Sequence, residues 1–115
     1  MKSEKIKNLL EKFENACYNY KDIECWSARE LQKILGYTKW DNFINVIEKA
    51  KNTCKSANLS IPDHFADVGK TLKMPNSAEK QIDDIALTCY ACYLVAQNGD
   101  SSKNEIAFAQ TYFAV

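Results

Sequence analysis

Apolar residues recur at intervals of three and four positions in five stretches of the chain, separated by polar and turn-forming residues. This period places the apolar side chains of each stretch on one face of an α-helix. The pattern therefore predicts five helices, at about residues 3–19, 27–36, 38–58, 89–98 and 100–115. The fourth is apolar on nearly every side, so we expect it to be the central buried helix.

The second and third predicted helices form the unit around which the rest of the chain is arranged. Ser27 has the position of a helix cap, with Glu30 three residues later as in a capping box. Gly36 can adopt the left-handed conformation that ends a helix, and Thr38 begins the next one. Two helices joined by a glycine-containing turn are either a hairpin within the core or a helix-turn-helix, and the sequence leaves both open.

Two shorter stretches alternate loosely between apolar and polar residues, as strands with one buried face do. They cover residues 66–72 and 80–87, and the turn-forming sequence Met-Pro-Asn-Ser separates them. We predict a β-hairpin here, although Gly69 and the adjacent Asp83 and Asp84 weaken both strands. Residues 23–26 are predicted to be a short extended segment. The predicted fold is α+β and predominantly α-helical, with about five helices and a small β-hairpin.

The length of 115 residues fits one domain, residues 1–115, with a single hydrophobic core. The last predicted helix is apolar on two faces, one containing Ile106, Ala109 and Phe113 and the other ending at Val115. A helix with two apolar faces needs two neighbours. We therefore expect the chain to be the N-terminal part of a longer protein, or this C-terminal helix to form a homodimer.

Composition and charge narrow the functional classes. The longest apolar runs are too short for a membrane span or a signal peptide, so we expect a cytoplasmic protein with no membrane partner. Five cysteines, mostly on predicted core faces, fit reduced thiols better than disulfides.

The net charge is zero, but residues 29–80 carry nine Lys or Arg and six acidic residues, whereas residues 81–115 carry one Lys and four acidic residues. The middle of the chain can therefore present a basic face.

Three groups of residues could carry chemistry, and a structural role explains each of them better. Cys89 and Cys92 form a Cys-x-x-Cys at a predicted helix start, where a thiol pKa can fall, but both lie on an apolar helix. A lone histidine near a proline turn, such as His64, more often only forms a hydrogen bond. Asp83 and Asp84 are adjacent in a predicted strand and so point to opposite faces. We expect no enzymatic activity, no metal site and no cofactor.

The helix-turn-helix alternative identifies candidate nucleic-acid contacts. Polar residues at the start of a recognition helix can reach base edges, and lysines on a following hairpin can reach phosphates. Against this interpretation, Trp40 and Phe43 in the same turn require burial, and short helix pairs are common in protein cores. The candidate residues are Arg29, Lys33, Thr38, Lys39, Asn42, Asn45, Lys70 and Lys73.

Several sequence strings in the chain carry a family resemblance. They are Trp26-Ser27-Ala28-Arg29-Glu30-Leu31-Gln32, Leu35-Gly36-Tyr37, Asp63-His64-Phe65, Tyr90-Ala91-Cys92-Tyr93-Leu94, Ala96-Gln97-Asn98-Gly99-Asp100 and Ala109-Gln110-Thr111-Tyr112-Phe113-Ala114-Val115. On these strings the chain resembles the N-terminal part of the DNA-damage-inducible protein D family. It is similar, more distantly, to the Bro-N domain of phage antirepressors.

The resemblance implies a bacterial, non-enzymatic regulator of the DNA-damage (SOS) response that acts on DNA or on proteins bound to DNA. It suggests two partners, single- or double-stranded DNA and the filament of the recombinase RecA. The alternative is a protein-interaction or dimerisation domain of an antirepressor-like regulator that does not itself contact DNA. A convergence of the basic side chains on one surface would favour the first hypothesis, and their dispersal the second.

Overall fold

In a computed structural model, which describes residues 2–114, the chain forms six α-helices and one antiparallel sheet of four strands. The elements, in chain order, are α1 (Ser3–Ala16), β1 (Cys17–Tyr20), β2 (Ile23–Ser27), α2 (Ala28–Leu35), α3 (Trp40–Ser56), α4 (Ile61–His64), β3 (Phe65–Lys73), β4 (Glu79–Thr88), α5 (Cys89–Gln97) and α6 (Asn104–Tyr112). A 3₁₀ turn, Pro75–Ser77, connects β3 to β4. The apolar position predicted at Val115 lies outside the described residues.

The predicted architecture of mainly helices with one small β-hairpin is wrong, because the fold contains a four-stranded sheet with the order β1-β2-β4-β3. Helical spacing assigns residues 17–19 to the end of the first helix, but α1 ends at Ala16 and β1 follows. Lys21 and Asp22 have φ angles of 51° and 67° and form a two-residue turn that pairs Tyr20 with Ile23. A Lys-Asp turn lacks the glycine or asparagine that usually marks such a hairpin.

The local helix signals in the sequence are mostly confirmed. The Ser27 side chain accepts a hydrogen bond from the amide of Glu30, and Gly36 ends α2 with a φ of 83°. Thr88 caps α5 by accepting from the amide of Ala91. The predicted start of α3 is two residues too early, because the helix begins at Trp40 rather than at Thr38.

The hydrophobic core lies between one face of the sheet and the helices. The central helix is α5, as its composition predicts, and Cys92 and Ala96 on it are fully buried. The hairpin β3–β4 packs on the core only at its base, where Phe65 and Leu87 are paired and buried. No α-helix within residues 2–114 is both long and apolar enough to cross a membrane.

Both apolar faces of α6 have neighbours within the chain. Ile106, Ala109 and Phe113 are buried in the core. On the second face, the rings of Phe108 and Tyr112 stack on Phe13 of α1, with centroid distances of 5.7 and 5.0 Å. The packing of α6 against α1 thus covers part of the surface through which a homodimer is predicted.

Candidate nucleic-acid interface

The first turn of α2 is anchored to the sheet by a buried carboxylate. Asp84 on β4 is 4% exposed, and its Oδ2 atom accepts a hydrogen bond from the Ser27 hydroxyl at 2.5 Å. Its Oδ1 atom accepts from the backbone amide of Arg29 at 3.0 Å. A negative charge at a helix N-terminus is stabilised by the unpaired amides there. The base of the β3–β4 hairpin therefore fixes the position and direction of α2.

Arg29 connects three elements at this place. Its Nε atom donates a hydrogen bond to the backbone carbonyl oxygen of Asp83 at 2.9 Å, which ties α2 to β4. Its guanidinium carbon lies 3.7 Å from the ring centroid of Trp40, the first residue of α3. Arginine stacks well on an indole ring because its flat cation faces the negative ring surface. Arg29 thus sets the position of α3 relative to α2 and remains partly exposed.

Two lysines converge on Glu30, the neighbour of Arg29. The Lys70 Nζ atom lies 2.5 Å from Glu30 Oε1, and the Lys33 Nζ atom lies 3.8 Å from the same oxygen. The hydrogen bond from Lys70 lowers the pKa of Glu30, and burial only partly opposes this effect. We call Arg29, Lys33 and Lys70 the basic cluster. Its two lysines share the single carboxylate of Glu30 and so leave an excess of positive charge there, whereas the Arg29 guanidinium lies apart, against Trp40 and the Asp83 carbonyl.

The basic cluster continues onto the outer part of the β3–β4 hairpin. Residues 71–81 are all exposed, on both faces of the two strands. Residues 70–82, which we call the arm, contain Lys70, Lys73 and Lys80 and one acidic residue, Glu79. The arm is therefore positively charged and begins at the cluster itself, because Lys70 belongs to both.

The two faces of the hairpin differ in charge. Residues paired across an antiparallel ladder share a face, and successive residues alternate between faces. The pairs Lys70–Ile82 and Leu72–Lys80 lie on the face with the two lysines. Asp67 and Asp83 lie on the other face and line a groove of about 420 Å³ against α3, together with Glu48 and its ion-pair partner Lys51. The face with Lys70 and Lys80 is therefore the more attractive one for a polyanion, and on the other face Lys73 lies near the tip, beyond the acidic groove.

The remaining candidate residues lie at and after the turn between α2 and α3. Thr38 and Lys39 are exposed and directly precede Trp40, on which Arg29 stacks. Asn42 and Asn45 are exposed on the first turns of α3, and Phe43 between them is fully buried. The structure thus brings Lys33 and Lys70 into one contact network through Glu30, holds Arg29 against Trp40 and the Asp83 carbonyl, and places Lys73 on the arm. Within residues 2–114, side-chain hydrogen bonds do not connect the two asparagines to that network.

Sequence reasoning misses two residues that organise the cluster. The sequence pattern assigns Glu30 only to the cap of α2, but its side chain bridges Lys33 and Lys70. The same pattern makes Asp84 a residue that weakens a strand, although it holds the first turn of α2. The one available signal is an acidic residue inside the apolar sequence Ile-Asp-Asp-Ile-Ala-Leu, because a buried carboxylate requires donors.

The thiols and the histidine occupy structural positions. Cys92 is fully buried, and burial raises its pKa well above that of a free thiol. Burial also raises the pKa of Cys89, which is the opposite of what a redox motif requires. The Nδ1 atom of His64 lies 2.8 Å from the Thr88 hydroxyl that caps α5. Among the described residues, no group of three or more His, Cys, Asp or Glu side chains is arranged to hold a metal ion.

Residues 14–114 match the model of a protein family described as the BRO family, N-terminal domain, or Bro-N. The chain is also similar to DNA damage-inducible protein D of Escherichia coli (strain K12), with 45% identity over 97 residues. The match covers 84% of this chain and 35% of that relative, so the chain spans about a third of the relative's length. No solved structure matches the chain.

Proposed function

The chain belongs to the Bro-N family, and from this premise we propose that it is a non-enzymatic regulatory domain that binds DNA in the bacterial DNA-damage response. The observation that supports this proposal most directly is that Lys33 and Lys70 converge on the single carboxylate of Glu30, which follows Arg29 in the chain. Side chains from a helix and a strand form this basic cluster, and it continues along the arm. The name of the relative, DNA damage-inducible protein D, agrees with this role.

The chemistry of the surface is that of phosphate contact rather than of base reading. Lysine ammonium groups bind phosphates as point charges without regard to sequence. The Lys33 side chain is 72% exposed, so it can reach a phosphate without a change of fold. The exposed side chains of Thr38 and Lys39 in the α2–α3 turn, and of Asn42 and Asn45 on α3, lie nearby in the chain and could add contacts. We therefore expect affinity with low sequence preference.

The test is fluorescence anisotropy with labelled single- and double-stranded DNA over a series of salt concentrations. Binding through phosphates should weaken steeply between about 50 and 200 mM salt, because bound counterions are released. The double variant Lys33→Gln/Lys70→Gln should bind more weakly and reduce the salt slope by roughly one to two. The matched control is Lys7→Gln/Lys55→Gln, which removes the same charge from exposed positions on α1 and the end of α3.

Three results would contradict this proposal. They are no binding at micromolar protein, binding without dependence on salt, and an equal loss of affinity in the control variant. The last result would mean that only the overall charge matters.

A second form of the target is DNA already covered by the recombinase RecA, which the family resemblance suggests. The same variants distinguish the two targets when the labelled single strand is offered bare and as a RecA filament. If the wild type prefers the filament and the Lys33→Gln/Lys70→Gln variant does not, the basic cluster is the surface that contacts the filament. Equal binding to bare DNA and filament would remove RecA from the proposal.

A second candidate function is protein interaction without DNA contact. It is favoured by an apolar groove of about 400 Å³ beside the end of α6, lined by Tyr90, Tyr93 and Phe113 among others. It is disfavoured by the packing of Phe108 and Tyr112 on Phe13, which leaves α6 less apolar surface for a homodimer. Sedimentation velocity decides, because a monomer at high protein concentration would remove the homodimer from consideration.

A further inference from the structure

The arm extends beyond the body of the domain as a two-stranded ribbon. The ladder between β3 and β4 continues outward from Lys70–Ile82 to its last pair, Lys73–Glu79. Residues 71–81 are exposed on both faces, so this part of the hairpin covers no core. At about 3.4 Å per residue, the strands and their turn project more than 10 Å from the cluster. Packing against the core therefore does not explain why the chain contains this ribbon.

The end of the arm is closed by a hydrogen bond and carries exposed apolar side chains beside a polar turn. The Met74 amide donates a hydrogen bond to the Ala78 carbonyl at 2.8 Å, and the intervening 3₁₀ turn includes Asn76 and Ser77 in the left-handed conformation. Met74 is 43% exposed and Leu72 36% exposed. Pro75 follows Met74 and is exposed as well. The tip thus presents an apolar wedge on a constrained turn.

Positive charges flank this wedge. Lys73 and Lys80 are exposed on opposite faces of the ribbon, one on each strand. Proteins that bend DNA through the minor groove combine such features, because an apolar side chain partly unstacks a base step while cations bind the phosphates on either side. Methionine and proline are among the residues that can act as the wedge.

We propose that the arm enters the minor groove of duplex DNA and inserts Met74, with the adjacent Pro75, at a base step, so that the duplex bends toward its major groove, away from the arm. Lys73 and Lys80 contact the phosphates along the groove, and the basic cluster at the base of the arm contacts the next ones. This inference rests on the proposed function, since it requires DNA binding. It specifies in addition that the DNA is double-stranded, that the arm binds the minor groove and that the duplex is bent.

The experiment uses a short duplex with a fluorescent donor and acceptor at its two ends, so that bending is read as energy transfer and affinity as anisotropy. The wild-type chain should increase the transfer, as expected for a kink of about 20 to 90°. Met74→Ala should abolish most of this increase but leave the salt slope unchanged, because no phosphate contact is removed. Lys73→Gln/Lys80→Gln should lower the salt slope by about two and the duplex affinity at least tenfold.

The control for the wedge is Leu10→Ala, which truncates a comparably exposed apolar side chain, 41% exposed, on α1. It should bend DNA as the wild type does. The arm proposal is overturned if the wild type binds the duplex without bending it, if Met74→Ala bends it equally, or if only single-stranded DNA is bound. In all three cases, binding that depends on Lys33 and Lys70 would leave the proposed function in place. Absence of any DNA binding overturns both proposals.

Discussion

The hydroxyl of Ser27 donates a hydrogen bond to the carboxylate of Asp84, a residue 57 positions later in the chain. Ser27 ends β2 and caps α2, and Asp84 lies within β4, so this contact joins two distant segments at one point. The same carboxylate accepts from the amides of Arg29 and Ile85. The stability of the domain and the placement of the basic cluster therefore share a determinant.

Replacing Asp84 should destabilise the fold. Asp84→Ala leaves the Ser27 hydroxyl and the Arg29 amide without their acceptor at a buried site, and each unsatisfied group costs about 1 to 3 kcal/mol. We expect a loss of about 3 kcal/mol in the free energy of unfolding, measured by urea denaturation. The neighbouring Asp83→Ala is the control, because the Asp83 side chain is exposed and only its backbone carbonyl contacts Arg29. Asp83→Ala should change the free energy of unfolding by less than about 0.5 kcal/mol. If Asp83→Ala and Asp84→Ala have equal effects, Asp84 is not the residue that anchors α2.

The stacking of Arg29 on Trp40 should appear as an energetic coupling. A double-mutant cycle with Arg29→Ala and Trp40→Leu measures how far the two effects depart from additivity. We expect a coupling of about 1 kcal/mol, because the guanidinium is partly desolvated over the ring. Lys103 and Tyr37 form the comparison pair, in which the Nζ atom lies 5.7 Å from the ring centroid. Their coupling should be smaller, and a value near zero for Arg29 and Trp40 would show that the stacking does not fix α3.

Local sequence signals predict the helices at the centre of the fold because each depends on residues close together in the chain. Ser27 and Gly36 at the ends of α2 and Thr88 at the start of α5 have the predicted roles. The β1–β2 hairpin is not predictable in this way. Phe13 and Cys17 are four residues apart, so the apolar spacing of a helix continues into the segment that forms β1.

The candidate site is predictable in its residue types but not in its geometry. The excess of lysines in the middle of the chain indicates a basic face, and two of these lysines, Lys33 and Lys70, meet at Glu30. The contact that joins them, between Lys70 and Glu30, spans 40 residues and two kinds of secondary structure. Such a contact depends on how β4 places the hairpin beside α2, and no local pattern contains that information.

The thiol of Cys17 should react slowly although it is only half-buried. Burial, followed by its hydrogen bond to Glu24, raises the pKa of Cys17 to about 11. The thiolate is the reactive form, so at pH 8 its fraction is about a hundredth of that of a cysteine with the ordinary pKa of 9.0. The rate of reaction with a disulfide reagent should therefore rise about tenfold per pH unit up to about pH 11.

A change at Glu24 should raise the reactivity of Cys17. Glu24→Ala removes both the hydrogen-bond acceptor and the negative charge, which lowers the pKa of the thiol and increases the rate severalfold at pH 8. Glu4→Ala removes an exposed charge at the start of α1 and should leave the rate unchanged.

Rapid labelling of Cys89 in the folded wild type would contradict the structural role of the Cys-x-x-Cys motif.

The left-handed backbone at Gly36 should make this position sensitive to any side chain. Its φ of 83° ends α2 and turns the chain toward Trp40, and a Cβ atom at this position would meet no neighbour within 4 Å. Gly36→Ala should therefore cost about 1 kcal/mol through backbone strain alone, and Gly36→Asn should cost less because asparagine tolerates this conformation. Gly69 in β3 is the control, since its φ is not positive and a Cβ atom would lie 3.5 Å from Gln81 Oε1, an ordinary contact. Gly69→Ala should be neutral or slightly stabilising in the same denaturation experiment. If both substitutions cost the same, the conformation of Gly36 is not what ends α2.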